Sequence, residues 1–212
     1  MNAPRFLITA GPTREHIDPI RYLSNRSSGK MGYALAEAAR ALSLDVTLVS
    51  GPTALTPPAN VAFLPVTSAQ EMADAVFARY GKHDIVIMCA AVCDFRPKHV
   101  AAKKIKKRTF TGVLELEPTP DILAELGRRK GSQVLVGFAA ETDHIEDNAR
   151  DKLQRKNLDF IVANDARAFD ADTNRVTLLF RNGRREVLPE MSKSDVARAI
   201  VERAIKVTGG SS

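Results

Sequence analysis

The chain has 212 residues and a formal charge of +6, with 44% hydrophobic and 26% charged residues, enough length for one self-sufficient core. No apolar run approaches the roughly 20 residues that cross a bilayer, which excludes a membrane-spanning helix. The opening MNAPRFLITAGPT lacks the regions of a signal peptide, and Cys89 and Cys93 have no partners with zinc or disulfide spacing, so a cytoplasmic address with reduced thiols is the expectation.

Apolar, β-rich runs recur at 5–10 (RFLITA), 45–50 (DVTLVS), 61–66 (VAFLPV), 84–90 (DIVIMCA), 134–139 (VLVGFA) and 159–164 (DFIVAN). Most are continuous rather than alternating, the pattern of strands buried on both faces. Helices are predicted between them. KMGYALAEAARAL places Leu35, Ala38, Ala39 and Leu42 on one face, and Ser68 with Glu71 forms a capping box before the next helix. Thr119, Pro120 and Asp121 read as N-cap, first position and acidic first turn ahead of ILAEL. Ile145, Ala149 and Leu153 mark a further helix, and SKSDVARAIVERAIK a last one. This alternation predicts a Rossmann-like α/β fold of three α/β/α layers with a mainly parallel sheet. Asn182-Gly183 between two strand-like arms adds an antiparallel hairpin. Residues 1–208 are expected to form a single domain, with 209–212 a disordered tail.

Four segments could carry chemistry. Residues 9–32 (TAGPTREHIDPIRYLSNRSSGKMG) leave the first strand and enter a helix through Ser27-Ser28-Gly29, where helix N–H groups can receive an anion. A phosphate cradle and a long surface loop are both open readings. Arg21 and Asn25 would suit a carboxylate or phosphate there. Next, MCAAVCDFRP offers small residues at a strand end and Asp94 as a carboxylate for a ribose or Mg²⁺, or as a plain turn residue. Lys98, Lys103, Lys104, Lys106, Lys107 and Arg108 then fall within eleven residues free of acids. They form either a solvated face or a mobile arm that closes over a triphosphate, with Lys104 the best catalytic cation. Finally, Asn148, Lys152 and Lys156 share one helix face, either aimed at a pocket or snorkelling into water, and Phe138 could stack on a base or fill the core.

Together these segments resemble the phosphopantothenoylcysteine synthetase family, the synthetase half of the bifunctional coenzyme A biosynthesis flavoprotein. The matching stretches are TAGPTREHIDPIRYLSNRSSGKMG, CAAVCDFRP, KIKK at 104–107, TPDI at 119–122, VGFAAET at 136–142 and ARDKLQRKNLDFIVAND. The resemblance implies a cytoplasmic homodimeric ligase. It would activate 4′-phosphopantothenate with CTP, through Mg²⁺ or Mn²⁺, to an acyl-cytidylate that the amine of cysteine then attacks. It further implies that Met88, Cys89, Ala90 and Asp94 frame the nucleotide, with Asp94 near its metal. Lys104 would belong to a flap over the phosphates, Thr119, Pro120, Asp121, Ile122 and Phe138 would contact the cytosine, and Lys152 and Lys156 would reach the triphosphate. Arg21 and Asn25 would handle the acyl part. The flavin-binding half is absent, so no FMN is expected. Two departures are visible: Thr119 stands where family members often have Asn, which leaves CTP against ATP open, and Cys93 replaces a common alanine.

The absence of any Ser-His-Asp or Cys-His set agrees with catalysis by positioning and charge. A nicotinamide-dependent reductase would want G-x-G-x-x-G after the first strand, where this chain has GPTREHIDP. A nucleic-acid-binding module would interleave aromatics with the lysines, and none lies between Lys98 and Arg108.

Overall fold

Continuous apolar runs make buried strands because successive side chains point to opposite faces of a sheet. In the computed structural model, which describes residues 3–141, 143–165 and 173–209, the chain begins with β1 (Arg5–Ala10), β2 (Arg14–His16), β3 (Tyr22–Ser24), α1 (Lys30–Ala41), β4 (Asp45–Ser50), β5 (Ala62–Pro65), α2 (Ala69–Tyr80) and β6 (Ile85–Met88). It continues with β7 (Phe95–Pro97), a 3₁₀ turn (Lys107–Thr109), β8 (Leu116–Pro118), α3 (Ile122–Arg129), β9 (Val134–Glu141), α4 (Ile145–Arg155) and β10 (Phe160–Asp165). The remaining described elements are β11 (Thr173–Asn174), β12 (Val176–Phe180), β13 (Arg185–Val187), β14 (Met191–Ser192) and α5 (Lys193–Gly209).

The main sheet runs β13-β12-β10-β9-β6-β1-β4-β5. From β5 to β10 neighbours are parallel, and β12 and β13 extend that edge antiparallel. Strand order reverses at β1, which opens a crevice at the carboxyl ends of β1 and β6. Alternate residues build two cores. Phe6, Ile8, Leu48, Ile87, Val136 and Val162 face α1 and α5. Leu7, Val49, Val86, Leu135 and Ile161 face α2, α3 and α4. The Rossmann-like three-layer arrangement read from the sequence is the observed one, and among the described residues no helix is long and apolar enough to cross a membrane.

Local differences have physical causes. β5 is an edge strand, so Ala62, Phe63 and Pro65 are exposed rather than buried on both faces. Leu42 lies past the last turn of α1 as its C-cap and is exposed, while Leu35 and Ala39 are buried. Asp121, not Thr119, caps α3, its Oδ1 accepting from the Ala124 N–H at 3.0 Å. Thr119 instead donates its hydroxyl to the Cys93 carbonyl. Ser68 caps α2, its Oγ accepting the Glu71 N–H, but the return bond of the capping box is shifted by one residue: Glu71 Oε2 accepts from the Thr67 N–H rather than from Ser68. In the β12–β13 hairpin the Gly183 N–H donates to the Phe180 carbonyl, and Gly183 takes φ 86°. That is a three-residue loop closed by a left-handed glycine. The expected tail lies outside the described residues from 210 on, and Gly209 ends α5.

Candidate active site

The long first connection is not structureless: residues 14–16 and 22–24 pair as an antiparallel ribbon. Around that ribbon, buried polar groups hold the neighbouring segments. Thr9 Oγ1 accepts from the Ala90 N–H at 3.1 Å and Thr13 Oγ1 from the Cys93 N–H at 2.9 Å. Glu15 Oε1 accepts from the Ala69 N–H in the first turn of α2 at 2.8 Å. Pro12 and Ala91 bridge in parallel, extending the β1–β6 pairing past the strand ends. The 88–94 segment is thereby fixed by donors and acceptors spent on structure.

A cavity of about 750 Å³ opens beside this segment, a volume suited to a nucleotide-sized ligand. Ser27 to Gly32 line one side and Met88 to Phe95 the centre. Pro118 to Leu123, at the start of α3, form the other side, with Phe138, Ala140, Asn164, Lys152, Lys156 and Lys193 behind. α1 points its N-terminus at the cavity, and its N-cap residue is Gly29, which has no side chain to cap it; a helix N-terminus favours an anion. Gly29 makes that entry possible: its φ is 80°, and a Cβ there would stand 2.7 Å from the Thr53 methyl.

Most of the predicted residues converge. Met88, Cys89, Ala90, Asp94, Thr119, Pro120, Asp121, Ile122, Phe138, Lys152 and Lys156 all line the cavity. The two lysines of α4 are tethered there: Lys152 Nζ donates to the Phe138 carbonyl at 2.7 Å, and Lys156 Nζ to Asp121 Oδ1 at 2.9 Å. Asn25 is adjacent, its Nδ2 donating to the Ala91 and Val92 carbonyls at 3.1 Å each. Arg21 and Lys104 are not among the lining residues. Arg21 is bound to Asp18 and to the Ile105 carbonyl, and Lys104 is exposed on the arm between β7 and β8. Asn148 is exposed and not among the lining residues, its Nδ2 donating to the Asp143 carbonyl. Of the VGFAAET stretch, Thr142 lies outside the described residues.

Four lysines, Lys30, Lys152, Lys156 and Lys193, line the cavity against two aspartates, Asp94 and Asp121, a balance that favours a polyanion. Burial opposes ionisation of Asp121, but the hydrogen bonds from Lys156 and the Ala124 N–H outweigh it and hold the carboxyl below its usual range. Burial pushes the Cys89 thiol up to about 12, although Lys193 pulls the other way. Burial also raises Cys93, whose Sγ donates to the Thr13 carbonyl. Both shifts favour the thiol over the thiolate at neutral pH, which argues against a cysteine nucleophile. Among the described residues no group of three His, Cys, Asp or Glu side chains could hold a metal ion.

A family model described as the DNA/pantothenate metabolism flavoprotein C-terminal domain matches residues 1–207. The chain belongs to that family. Among its relatives is the coenzyme A biosynthesis bifunctional protein CoaBC of Bacillus subtilis (strain 168), 55% identical over 201 residues that make up 92% of this chain and 50% of that protein. The chain thus spans about half the length of the curated relatives it matches. A crystal structure of the C-terminal domain of a coenzyme A biosynthesis bifunctional protein CoaBC is similar with a TM-score of 0.86 at 47% identity, covering 99% of this chain and 98% of that one. A Cab2 variant in complex with phosphopantothenate-cysteine shares the fold, with a TM-score of 0.80 at 17% identity over 97% of this chain and 86% of that one.

For this member of the flavoprotein C-terminal domain family, three cavity features went unread in the sequence. Lys30 opens α1 immediately after the Ser-Ser-Gly entry, a signal that was present in the cradle reading. Asn164 is the last but one residue of β10, polar at the end of a run whose apolar residues dominate its pattern. Lys193 begins α5, far along the chain, and only the layering of α5 beside α1 brings it to the cavity.

Proposed function

We propose that the chain is a ligase that joins 4′-phosphopantothenate to L-cysteine through an acyl-nucleotide intermediate, with CTP as the activating nucleotide. The observation that carries this reading is the lysine-lined cavity at the sheet's switch point, with the N-terminus of α1 at its wall, in a chain whose relatives bear the name coenzyme A biosynthesis bifunctional protein. In the first step a carboxylate oxygen of 4′-phosphopantothenate attacks the α-phosphorus of CTP and pyrophosphate leaves. In the second, the cysteine amine attacks the acyl carbon and CMP leaves. Neither step needs a protein nucleophile, which suits two protonated thiols.

In this reading the N–H groups of α1, with Lys30, Lys152, Lys156 and Lys193, hold the triphosphate. Thr119 to Ile122 and Phe138 hold the cytosine, and Asn25 orients the acyl group against the 91–92 peptides it already binds. Lys104 reaches the phosphates when the arm closes. Mg²⁺ or Mn²⁺ brought by the triphosphate supplies charge neutralisation at the departing pyrophosphate. Asp94, a carboxylate in the cavity lining, would hold it, the ion taking its other ligands from phosphate and water. No flavin chemistry is part of this proposal.

A homodimer, working as one domain per subunit in the cytoplasm, completes it. Ile20 and Tyr22 on the ribbon and Phe95, Val100, Phe110, Val113 and Leu116 on the arm are exposed apolar groups that a second copy would cover. Sedimentation equilibrium tests the dimer, and a monomer at micromolar concentration would contradict it. Pyrophosphate release from CTP, and separately from ATP, with 4′-phosphopantothenate present and cysteine omitted or added, tests the activity. Release with neither nucleotide would sink the ligase reading. Lys104→Gln should slow acyl-nucleotide formation while leaving the fold unchanged.

A further inference from the structure

Asp18 is fully buried in the turn between β2 and β3. Its Oδ1 accepts the Ile20 and Arg21 N–H groups at 2.9 Å each, bonds that any short polar turn residue could make. Oδ2 does something else. It accepts Arg21 Nε at 3.0 Å, Arg21 Nη2 at 2.5 Å and the Ile105 N–H at 3.2 Å. Arg21 Nη2 also donates to the Ile105 carbonyl at 2.8 Å. One residue of the lysine arm, Ile105, is therefore held at both its N–H and its carbonyl, directly between Lys104 and Lys106. The Ala101 N–H, donating to the Ile17 carbonyl at 3.0 Å, is a second link between arm and ribbon.

The arm springs from the cavity lining, since its stem pairs Phe95 with Pro118 and both line the cavity. The ribbon reaches the same cavity through Asn25, four residues beyond Arg21, which binds the 91–92 carbonyls. A single short segment thus grips both the arm and the cavity floor. We propose that Asp18 is a positioning residue that clasps the arm through Ile105 and Arg21, so that the lysines beside Ile105 approach the cavity from a fixed base. Arg21, its guanidinium spent on this clasp, acts in positioning the arm. The kinetic consequence rests on the ligase reading; the clasp itself does not.

Two variants test the clasp. Asp18→Asn keeps the Oδ1 acceptor of the turn and puts an NH₂ where three donors converge. Ile105→Pro deletes the arm's N–H donor and leaves the sheet, Asp18 and Arg21 untouched. Trypsin reads the arm directly at the bonds after Lys106, Lys107 and Arg108, which follow the clasped residue; the bond after Lys104 is left out of the comparison because a proline at 105 blocks it. Loss of a charge-assisted hydrogen bond predicts cleavage in the arm about tenfold faster in both variants, with the thermal melt of Ile105→Pro preserved. Acyl-nucleotide formation should slow by a similar factor, while the KM for cysteine, which enters after activation, stays unchanged. Arm cleavage at the parent rate in Ile105→Pro would overturn the clasp. Faster cleavage with unchanged acyl-nucleotide formation, or a parallel rise in the cysteine KM, would overturn its positioning role. If the parent itself releases no pyrophosphate, the ligase reading fails while the proteolysis result still decides the clasp.

Discussion

Gly32 sets α1 against Ala10 of β1, and replacing it with alanine tests how tightly the fold and the cavity are joined. A Cβ at Gly32 would lie 2.5 Å from Ala10 Cβ, 2.9 Å from Ala10 Cα and 3.1 Å from the Thr9 carbonyl oxygen. Carbon pairs rest at about 3.5–4.0 Å, so the first turn of α1 must withdraw by about 1 Å. All three contacts are at β1 in the centre of the sheet, and two are backbone atoms, so the helix moves rather than the strand. Overpacking of this kind costs about 1–3 kcal/mol. For a chain of this size, at about 2–4 °C per kcal/mol, Gly32→Ala should melt roughly 2–12 °C lower. The same withdrawal carries the N–H groups of α1 away from a bound anion, and a 1 Å misplacement can reduce turnover by on the order of 100-fold. Thermal melts and nucleotide binding by calorimetry read the two effects together. Gly81 is the control: at φ −68° with nothing within 4 Å of a new Cβ, Gly81→Ala should stabilise by about 0.4–1 kcal/mol. A Gly32→Ala protein that melts and binds nucleotide like the parent would refute the idea that this contact sets the helix against the cavity.

Lys156→Gln should weaken nucleotide binding about tenfold by removing a charge-assisted donor, yet lower stability by no more than about 1 kcal/mol because Asp121, its partner, is half exposed and still caps α3; binding at parental affinity would place Lys156 outside the anion site. Asp18, Asp84, Glu125, Glu146 and Glu186 are all held below their ordinary values of 3.8 or 4.5 by hydrogen bonds from Arg21, Arg5, Arg128, Arg185 and Arg203, Glu125 to about 2. Each favours the ionised, folded form above its ordinary value and loses that contribution as pH falls through its lowered one, so melting temperature should hold from neutrality to about pH 4.5 and decline below it; a decline that begins above pH 6 would contradict this. With its thiol pushed up to about 12, Cys89 should resist iodoacetamide at pH 7.5 in the folded protein, and rapid alkylation mapped to Cys89 by mass spectrometry would show a different environment.

The sheet was legible because β1, β4, β6, β9 and β10 are apolar on both faces, which only a strand between two helical layers can satisfy. β5 misled because an edge strand can keep an apolar composition while Phe63 faces water. Caps were legible as a set but not to the residue: Thr119 and Asp121 are both good N-caps, and the choice turns on which oxygen meets the Ala124 N–H. The ribbon at 14–24 escaped because two three-residue strands carry too short a pattern to see. Cavity residues near strand ends, such as Cys89 and Asp94, could be read from position alone. Arg21 could not, because the sequence shows a cation but not that a buried Asp18, three residues earlier, already occupies it.

α1 and α5 lie side by side on one face of the sheet and share one apolar core, in which Tyr33, Leu35 and Ala36 meet Val196, Ile200 and Val201. The Ser-Ser-Gly entry and Lys30 therefore leave the ribosome long before the helix that supports them and supplies Lys193. Until α5 has been synthesised, the flank of α1 that packs against it has no cover and the cavity lacks one of its cations. Ligand capture during translation must then wait for the last helix, and a ribosome-stalled chain ending before residue 190 should fail to retain nucleotide even though every strand of the parallel sheet is already made.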